Sequence, residues 1–365
     1  MFYILSFILI FLLTLILFLK LHPVFGGTLS DEEKEMYRTF PNYVNGKFVN
    51  TFDLNMKMSP ATIVTLMRDG LVGKEERRPK TPLPVSFNNK TISSEDNLTW
   101  FGHSTFLLNI DKKHILVDPM FGQTASPVSF AGSKRYSKEV LAIIDKLPPI
   151  DAVLITHDHY DHLDYPSILK LKEKVSEFFV PYGVGAHLVR WGIQRDKIRE
   201  FNWWEEILWS EFTFSFVPSQ HFSGRGITNR DSTLWGGWVI LGKTSRIYVS
   251  GDGGYGPHFK QIGKKYGPFD HTIVEGGQYD PRWSAVHMQP EESVQAHLDV
   301  AGRNMILSHW GAFTLAYHSW KEPIERALVE AEAKGVTLIT PKLGETVHLQ
   351  SNMAKSTLPW WREKD

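Results

Sequence analysis

The hydrophobic and polar positions divide the chain into an apolar start, an irregular polar stretch and a long segment of short apolar runs. Residues 1–19, MFYILSFILIFLLTLILFL, contain no charged side chain. At about 1.5 Å per residue, a helix of this length spans roughly 28 Å, close to the hydrocarbon thickness of a bilayer. A cleaved signal peptide fits less well, because no basic residue precedes the run and no A-x-A site follows it. The pattern therefore predicts an N-terminal transmembrane anchor at 1–19.

Residues 20–97 carry Pro, Gly and Asn without sustained periodicity, which predicts a linker and N-terminal extension. Within this stretch SDEEKEMYR opens with Ser30, a residue that can cap a short helix. From Leu98 onwards, runs rich in Val, Ile, Phe, Trp and Thr recur between Gly and Pro. We therefore expect a folded domain at 98–350, followed by a C-terminal tail at 351–365.

The periodicity of the apolar positions predicts both strands and helices in this domain. Two-residue alternation or short apolar runs predict strands at 98–110, 114–119, 152–156, 178–181, 206–218, 233–242, 245–250, 271–275, 304–308 and 345–349. Helical spacing predicts helices at 60–71, 137–147, 166–176, 184–191, 290–301 and 321–334. Strands alternate with helices but also follow one another at 206–250, so we expect a layered α/β fold with mixed sheets.

Composition narrows the function classes. A hydrophobic fraction of 42% in 365 residues is enough for one large core. Because 40 basic residues balance 40 acidic ones, there is no overall positive field to attract nucleic acid. The absence of cysteine excludes disulfides, thiolate metal sites and a cysteine nucleophile. Any metal must therefore be bound by carboxylates and by some of the 15 histidines.

Four strand-like runs end in side chains that can bind a metal. IDAVLIT leads into an H-x-H-x-D-H motif, and three later runs end in a histidine or an aspartate. Strand ends converge at one edge of an α/β sheet, where binding sites form. The residues concerned are His157, His159, Asp161, His162, His221, Asp252 and His309.

The types and spacing of these residues predict a dinuclear metal site. His157 and His159 can share one ion, which His221 completes, because imidazole nitrogen is a preferred zinc ligand. Asp161, His162 and His309 can hold a second ion, and Asp252 can bridge the two with its carboxylate. Two such ions lower the pKa of a shared water and stabilise developing negative charge. We expect two Zn²⁺ per chain; a purely structural polar cluster is the alternative.

Other polar residues have weaker sequence signals. His103 and Asp118 lie beside early strands and are expected to orient metal ligands through hydrogen bonds, with turn formation as the alternative. His287 can donate to a phosphate oxygen, or it is an ordinary loop histidine. Arg225 can bind a phosphate in bidentate fashion, although single arginines are usually surface residues.

Several longer motifs resemble a known family. THDHYDHLD, PSQHFSGRG, SGDGGYG and SHWGAF are similar to segments of the metallo-β-lactamase fold. Within that fold, the chain resembles the family of N-acyl-phosphatidylethanolamine-hydrolysing phospholipase D. The similarity runs from HPVFGG to LITPKLGE, and QHFSGRG, PRW and HMQPEE are its more specific elements.

The resemblance implies a fold, a ligand set and an activity. The fold would be an αβ/βα sandwich of two mixed β-sheets flanked by helices, with two zinc ions at one edge. The family pattern implies the same seven ligands as the strand endings. The implied reaction hydrolyses N-acyl-phosphatidylethanolamine to phosphatidic acid and an N-acylethanolamine. Asp161, Asp252 and His287 are the implied catalytic residues, and His287, Gln289 and Arg225 the substrate-binding ones. Gln289 replaces an acidic residue of the family, which leaves the headgroup contacts open.

The expected protein is thus a membrane-anchored dinuclear zinc phosphodiesterase that uses a metal-bound hydroxide. Alternatives are a zinc hydrolase of the same fold acting on a lactone, amide or cyclic phosphodiester, and a non-catalytic membrane-tethered scaffold. Lys20, Lys34 and Arg38 all follow the span, which favours the cytoplasmic side for the catalytic domain. The expected partners are phospholipid and the membrane, without nucleic acid; a homodimer stays an open alternative.

Overall fold

A computed structural model describes most of the chain, including a long N-terminal helix, α1 (Phe2–Leu21). The described residues are 2–52, 59–72, 76–89, 95–350 and 359–363. One helix among them is long and apolar enough to cross a membrane, and none of this span, Tyr3–Leu21, is buried by the rest of the chain. Most of the predicted tail, 351–358 and 364–365, lies outside the described residues.

The other helices surround two sheets. Among the described residues, the α-helices that follow are α2 (Asp31–Tyr37), α3 (Pro60–Asp69), α4 (Tyr165–Leu171), α5 (Val184–Arg190), α6 (His258–Tyr266), α7 (Pro290–Asp299) and α8 (Glu322–Ala333). Short 3-10 helices lie at Pro23–Phe25, Val140–Lys146, Arg195–Lys197, Pro281–Trp283 and Trp360–Glu363. Ser30 caps α2 in a reciprocal capping box with Glu33, which confirms the short helix expected there.

Eighteen strands are present in the described part of the chain. They are β1 (Tyr43–Val44), β2 (Lys47–Phe48), β3 (Asn97–Trp100), β4 (Phe106–Ile110), β5 (Lys113–Val117), β6 (Thr124–Ala125), β7 (Ser133–Lys134), β8 (Ile150–Leu154), β9 (Val175–Pro181), β10 (Ile198–Phe201), β11 (Glu206–Trp209), β12 (Phe212–Val217), β13 (Gly237–Leu241), β14 (Arg246–Val249), β15 (Phe269–Glu275), β16 (Gly302–Ser308), β17 (Thr337–Ile339) and β18 (Thr346–His348). Two short hairpins, β1–β2 and β6–β7, lie outside the main sheets.

Two seven-stranded sheets form the body of the fold. Their strand orders are β10-β9-β8-β5-β4-β3-β18 and β11-β12-β13-β14-β15-β16-β17. In the first sheet β10 to β5 run parallel and the remaining pairs are antiparallel. In the second sheet β11 to β14 pair antiparallel and β14 to β17 pair parallel. These sheets confirm the predicted layered fold of two mixed sheets flanked by helices.

The sheets pack face to face over a shared apolar core. Phe106 and Leu108 from the first sheet lie in the same buried cluster as Phe214 and Trp238 from the second. The Trp238 indole N–H donates to the carbonyl of Ile155 across the interface at 2.9 Å. Apolar residues of both sheets therefore form one core between them.

Several predicted elements differ in length from the observed ones. The run 98–110 is two strands, because Gly102 and His103 turn the chain with φ values of 90° and 55°. The run 206–218 is likewise divided at Ser210, where φ is 53°. The predicted helix 137–147 is the 3-10 helix Val140–Lys146, and 166–176 stops at Leu171 to leave residues for β9. Strands β10 and β17 were missed, since both are short sheet edges with polar residues.

The segment after α1 is packed onto the domain. Tyr37 is fully buried and contacts Tyr182 and Phe48, with ring centroids 5.2 and 5.5 Å apart. The Trp191 indole N–H donates to the carbonyl of Pro23 at 2.6 Å. These contacts fix where α1 leaves the domain.

Candidate metal centre

The seven predicted metal ligands meet at one edge of the two sheets. Four lie in the loop between β8 and α4, which Asp164 closes by accepting the Ser167 backbone N–H at 3.0 Å and so capping α4. The others follow β12, β14 and β16 of the second sheet, at His221, Asp252 and His309. All are buried except His159 and Asp161, which are half-buried. The strand-end argument therefore placed these side chains correctly relative to one another.

The first group of donors consists of three imidazoles. His157 Nε2 lies 2.9 Å from His159 Nδ1, and His221 Nε2 lies 3.2 Å from the same nitrogen. Around a tetrahedral zinc with Zn–N bonds of about 2.0–2.1 Å, neighbouring nitrogens are about 3.3 Å apart. The three rings therefore converge on a volume that suits one ion.

The second group combines one carboxylate with two imidazoles. Asp161 Oδ2 lies 3.2 Å from His309 Nε2 and 3.6 Å from His162 Nε2. These separations are again those of donors around a single borderline dication. The mixed oxygen and nitrogen set matches the second half of the predicted site.

Asp252 lies between the two groups. Its Oδ2 is 3.1 Å from His162 Nε2 and 3.0 Å from His309 Nε2. The same oxygen is 3.9 Å from His157 Nε2 and 4.0 Å from His221 Nε2. Its Oδ1 is buried without a hydrogen-bond partner among the described residues, which is costly for a charged oxygen unless a cation is bound. These residues fit a pair of cations bridged by Asp252.

Asp118 contacts the ring nitrogen of His162 that faces away from the metal position. Its Oδ2 accepts the His162 Nδ1 proton at 2.8 Å and the Thr156 hydroxyl at 2.7 Å, while Oδ1 accepts the Thr156 backbone N–H at 2.8 Å. A carboxylate on Nδ1 leaves Nε2 unprotonated and directed at the metal position. The structure thus gives Asp118 the contacts expected of a residue that orients a ligand.

We expect Asp118→Asn to lower metal affinity about 10- to 100-fold, the usual cost of losing such a partner. The amide keeps the size of the side chain but can present a donor to His162 Nδ1. Competition against a zinc chelator measures the change, with the exposed Asp196→Asn as a control. Unchanged affinity in Asp118→Asn would show that Asp118 does not orient His162.

His103 contacts a predicted ligand directly. Its Nε2 lies 2.8 Å from Asp161 Oδ2, and its ring is fully buried. Burial, together with the nearby His309, lowers the pKa of His103 to about 3, so the ring is neutral. A neutral imidazole with its proton on Nε2 donates to Asp161 and fixes that carboxylate. This contact is the one expected of His103.

The electrostatics keep the carboxylates ionised. Burial alone would raise the pKa of Asp161, but His162 and His103 hold it well below its usual range. Burial likewise opposes ionisation of Asp252, while His162 and His309 hold its pKa well below that range. Both aspartates are therefore negatively charged near pH 7, the form that binds a metal.

The pKa values of the histidines shift in different directions in the two groups of donors. Burial and the neighbouring rings lower the pKa of His157 and His221 well below the usual value, which keeps them neutral. Burial opposes protonation of His309, yet Asp252 and Asp161 raise its pKa to about 9. The second group thus carries a proton that metal binding must displace, so binding there weakens as pH falls.

His287 lies beside both groups and reaches solvent. Its side chain is 15% exposed, and its ring centroid is 5.1 Å from those of His221 and His309. The rings of His287 and His309 are nearly parallel, with an interplanar angle of 11°. His287 is therefore a partly exposed imidazole beside both groups of donors.

Gln289 makes its contacts elsewhere. It caps α7, and its side-chain oxygen accepts a hydrogen bond from Arg326 Nη2 at 3.0 Å. It also lines a surface cavity of about 460 Å³ together with Arg282 and His318. A role in substrate binding stays a prediction, for which these contacts offer no direct link to the seven clustered residues.

Arg225 is buried away from the clustered residues. Its guanidinium donates to the backbone carbonyls of Val24, Asp158 and Leu163 at 2.6–3.1 Å and stacks over Tyr160. These bonds tie the segment after α1 to the metal-binding loop. The structure does not bring Arg225 to the cluster, and its predicted phosphate contact has no support from this geometry.

We expect Arg225→Lys to destabilise the fold by about 2–4 kcal/mol, because an ammonium cannot pair all three buried carbonyls. Thermal or denaturant unfolding of the purified protein measures this loss. If Arg225 instead binds substrate phosphate, KM will rise while the unfolding curve stays that of the wild type.

Sequence reasoning missed Glu275. This residue ends β15, and its buried carboxylate lies 3.5 Å from His287 Nδ1 and 3.7 Å from His309 Nδ1. The signal was present, since TIVE is an apolar run that finishes in a metal-capable side chain.

The two mixed sheets and the histidine–aspartate cluster at their edge define a metallo-hydrolase fold. A model of the beta-lactamase superfamily domain matches residues 113–310. An uncharacterized protein of Mycobacterium tuberculosis is 41% identical over 88% of this chain and 87% of its own length. N-acyl-phosphatidylethanolamine-hydrolyzing phospholipase D 1 of Caenorhabditis elegans is 35% identical over 72% of this chain and 79% of its own.

A solved structure shows the same fold. Igni18, a metallo hydrolase from Ignicoccus hospitalis, superposes with a TM-score of 0.53 at 22% identity, covering 69% of this chain and 97% of that one. The chain belongs to the metallo-β-lactamase superfamily, in the family that includes the worm phospholipase D. It is a hydrolytic enzyme of a metal-dependent class, which confirms the resemblance found in its motifs.

Proposed function

We propose that this chain is a membrane-anchored dinuclear zinc phosphodiesterase that hydrolyses N-acyl-phosphatidylethanolamine to phosphatidic acid and N-acylethanolamine. One observation carries the chemistry: two groups of donors share the single oxygen Oδ2 of Asp252. The 35% identity to the worm phospholipase D supports the choice of a phospholipid. The chain has no cysteine, so the site offers no thiol nucleophile.

His157, His159 and His221 would hold the first ion; Asp161, His162 and His309 would hold the second; and Asp252 would bridge. When bound, two such ions lower the pKa of a shared water toward neutrality and neutralise a phosphate. The chain's own contribution is to fix these donors through Asp118 and His103 in a buried, preorganised cluster.

His287 is the group we assign to proton transfer. Because Nδ1 faces the Glu275 carboxylate, Nε2 is the ring nitrogen left to exchange a proton with a substrate oxygen. Cleavage that releases N-acylethanolamine leaves a negative charge on its oxygen, which needs a proton. A partly exposed histidine beside the metal positions can supply it.

Two exposed apolar surfaces support a membrane location. No residue of Tyr3–Leu21 is buried, and α3 has no buried residue although Val64 and Met67 are apolar. Asp69 at the end of α3 pairs with Arg282 at 2.8 Å, five residues before His287. A lipid surface would cover both and bring substrate to the site. The positive charges after the span favour the cytoplasmic side.

The proposed function is tested by incubating the purified full chain with zinc and vesicles that contain N-acyl-phosphatidylethanolamine. Mass spectrometry of the lipids should find phosphatidic acid and N-acylethanolamine in equal amounts, and neither product with a chelator present. Intact lipid, with turnover of a lactone, amide or cyclic phosphodiester, would assign the alternative substrate class. No turnover of any ester would favour the non-catalytic scaffold.

A further inference from the structure

Four of the predicted histidine ligands face the metal positions through Nε2, so each must carry its proton on Nδ1. Three of these Nδ1 groups have close partners. His157 Nδ1 lies 3.0 Å from Thr156 Oγ1, His162 Nδ1 lies 2.8 Å from Asp118, and His221 Nδ1 lies 3.1 Å from the Val286 carbonyl. The fourth histidine, His309, lacks a hydrogen-bond partner at Nδ1 in the described structure.

Glu275 is the acceptor that His309 faces. Its Oε2 lies 3.7 Å from His309 Nδ1 and is itself buried without a hydrogen-bond partner in the described structure. Its Oε1 accepts the Met288 backbone N–H at 2.9 Å and lies 3.5 Å from His287 Nδ1. A donor and an acceptor that both lack partners face each other here, and a shift of under about 1 Å makes the bond.

The backbone holds this carboxylate firmly. Glu275 pairs with Ser308 across β15 and β16, one residue before His309. Its backbone N–H donates to Ser250 Oγ at 3.0 Å, and its carbonyl accepts the Ser293 hydroxyl at 2.6 Å. Burying a carboxylate costs free energy unless it is paired with a partner. Glu275 is fully buried between two histidines, and we therefore expect it to act on those two rings.

We propose that Glu275 is a positioning residue that fixes the Nδ1 protons of His309 and His287, and so links the second metal position to the proton-transfer histidine. One carboxylate reaches both rings because they are nearly parallel. Glu275 then does for His309 what Asp118 does for His162. The inference rests on the proposed function, since it needs His309 to be a metal ligand.

The test is Glu275→Gln, compared with the exposed Glu332→Gln as a matched control. Glutamine keeps the size of the side chain, and its oxygen can still accept the Met288 N–H. Its NH₂ group then faces His309 Nδ1, so two donors meet. Competition against a zinc chelator should show one of the two zinc affinities, that of the second position, reduced about 10- to 100-fold, with the other unchanged.

A spectroscopic measurement separates positioning from a general structural role. In the cobalt-substituted protein, Glu275→Gln should alter the visible absorption of the second ion, whereas Glu332→Gln should not. The inference would be overturned if Glu275→Gln kept both zinc affinities and the cobalt spectrum of the wild type. If the wild type in that case binds two ions and cleaves the lipid, the proposed function still holds. A wild type that binds no metal would overturn both the inference and the proposed function.

Glu275→Asp provides a second variant if the glutamine variant does not fold. It keeps the charge but withdraws the carboxylate by one methylene, farther from His309. We expect a loss of affinity at the second position that is smaller than that in Glu275→Gln. Wild-type affinity in Glu275→Asp would overturn the inference.

Discussion

Replacing Asp252 by Ala should lower kcat by at least about 1,000-fold and leave fewer than two ions per chain, since even partners behind the ligands change activity 10- to 100-fold. Asp252 Oδ2 is within 3.0–4.0 Å of ligand nitrogens in both groups. Without this carboxylate, the two donor groups lose the oxygen that they share, and four clustered imidazoles each lose a carboxylate within 4.0 Å. Steady-state kinetics with metal analysis on the same sample measures both effects.

The control for this prediction is Asp196→Asn, an exposed aspartate outside the site. The kcat of Asp252→Asn should lie between those of Asp252→Ala and Asp196→Asn, because asparagine keeps one side-chain oxygen but loses the negative charge. More than a tenth of wild-type activity in Asp252→Ala, with two ions still bound, would contradict the bridging role.

His287→Gln should lower kcat by about 100- to 10,000-fold, the usual contribution of a positioned general acid or base. Both metal ions should remain, because His287 is assigned to proton transfer and not to metal binding. KM should change less than kcat, since the loss concerns the reacting atoms. His114→Gln, at the start of β5, is the control, because its Nδ1 lies 3.1 Å from the Pro149 carbonyl and its ring is not among the clustered imidazoles.

Two results would contradict this assignment. Loss of one ion in His287→Gln would show that His287 is a metal ligand. This result has to be tested because the His287 ring centroid lies 5.1 Å from those of His221 and His309. Wild-type kcat with two ions bound would remove it from the chemistry. Kinetics and metal content must therefore be measured together.

Most of the metal centre could be predicted because its residues follow apolar strands directly. His221, Asp252 and His309 are far apart in the chain, yet each ends a run that had to be a buried strand. Asp164, just after the H-x-H-x-D-H motif, caps α4. Glu275 has the same strand-end signal, but only the fold reveals that His287 and His309 face it.

The contacts of Arg225 could not be predicted, for a physical reason. An arginine after a histidine motif suggests phosphate binding, but three backbone carbonyls from distant segments enclose this one. Those carbonyls become neighbours only when the segment after α1 folds back onto the domain. The turn at Gly102 and His103 could not be predicted either, because positive φ values within an apolar run leave no periodic signal in the sequence.

The central claim is that the clustered histidines and aspartates hold two metal ions that carry out hydrolysis. Metal analysis of the purified full chain by inductively coupled plasma mass spectrometry tests it most directly. We expect two zinc-class ions per chain, which a chelator removes together with activity and which restore activity when they are added back. Less than one such ion per chain in active protein would contradict it.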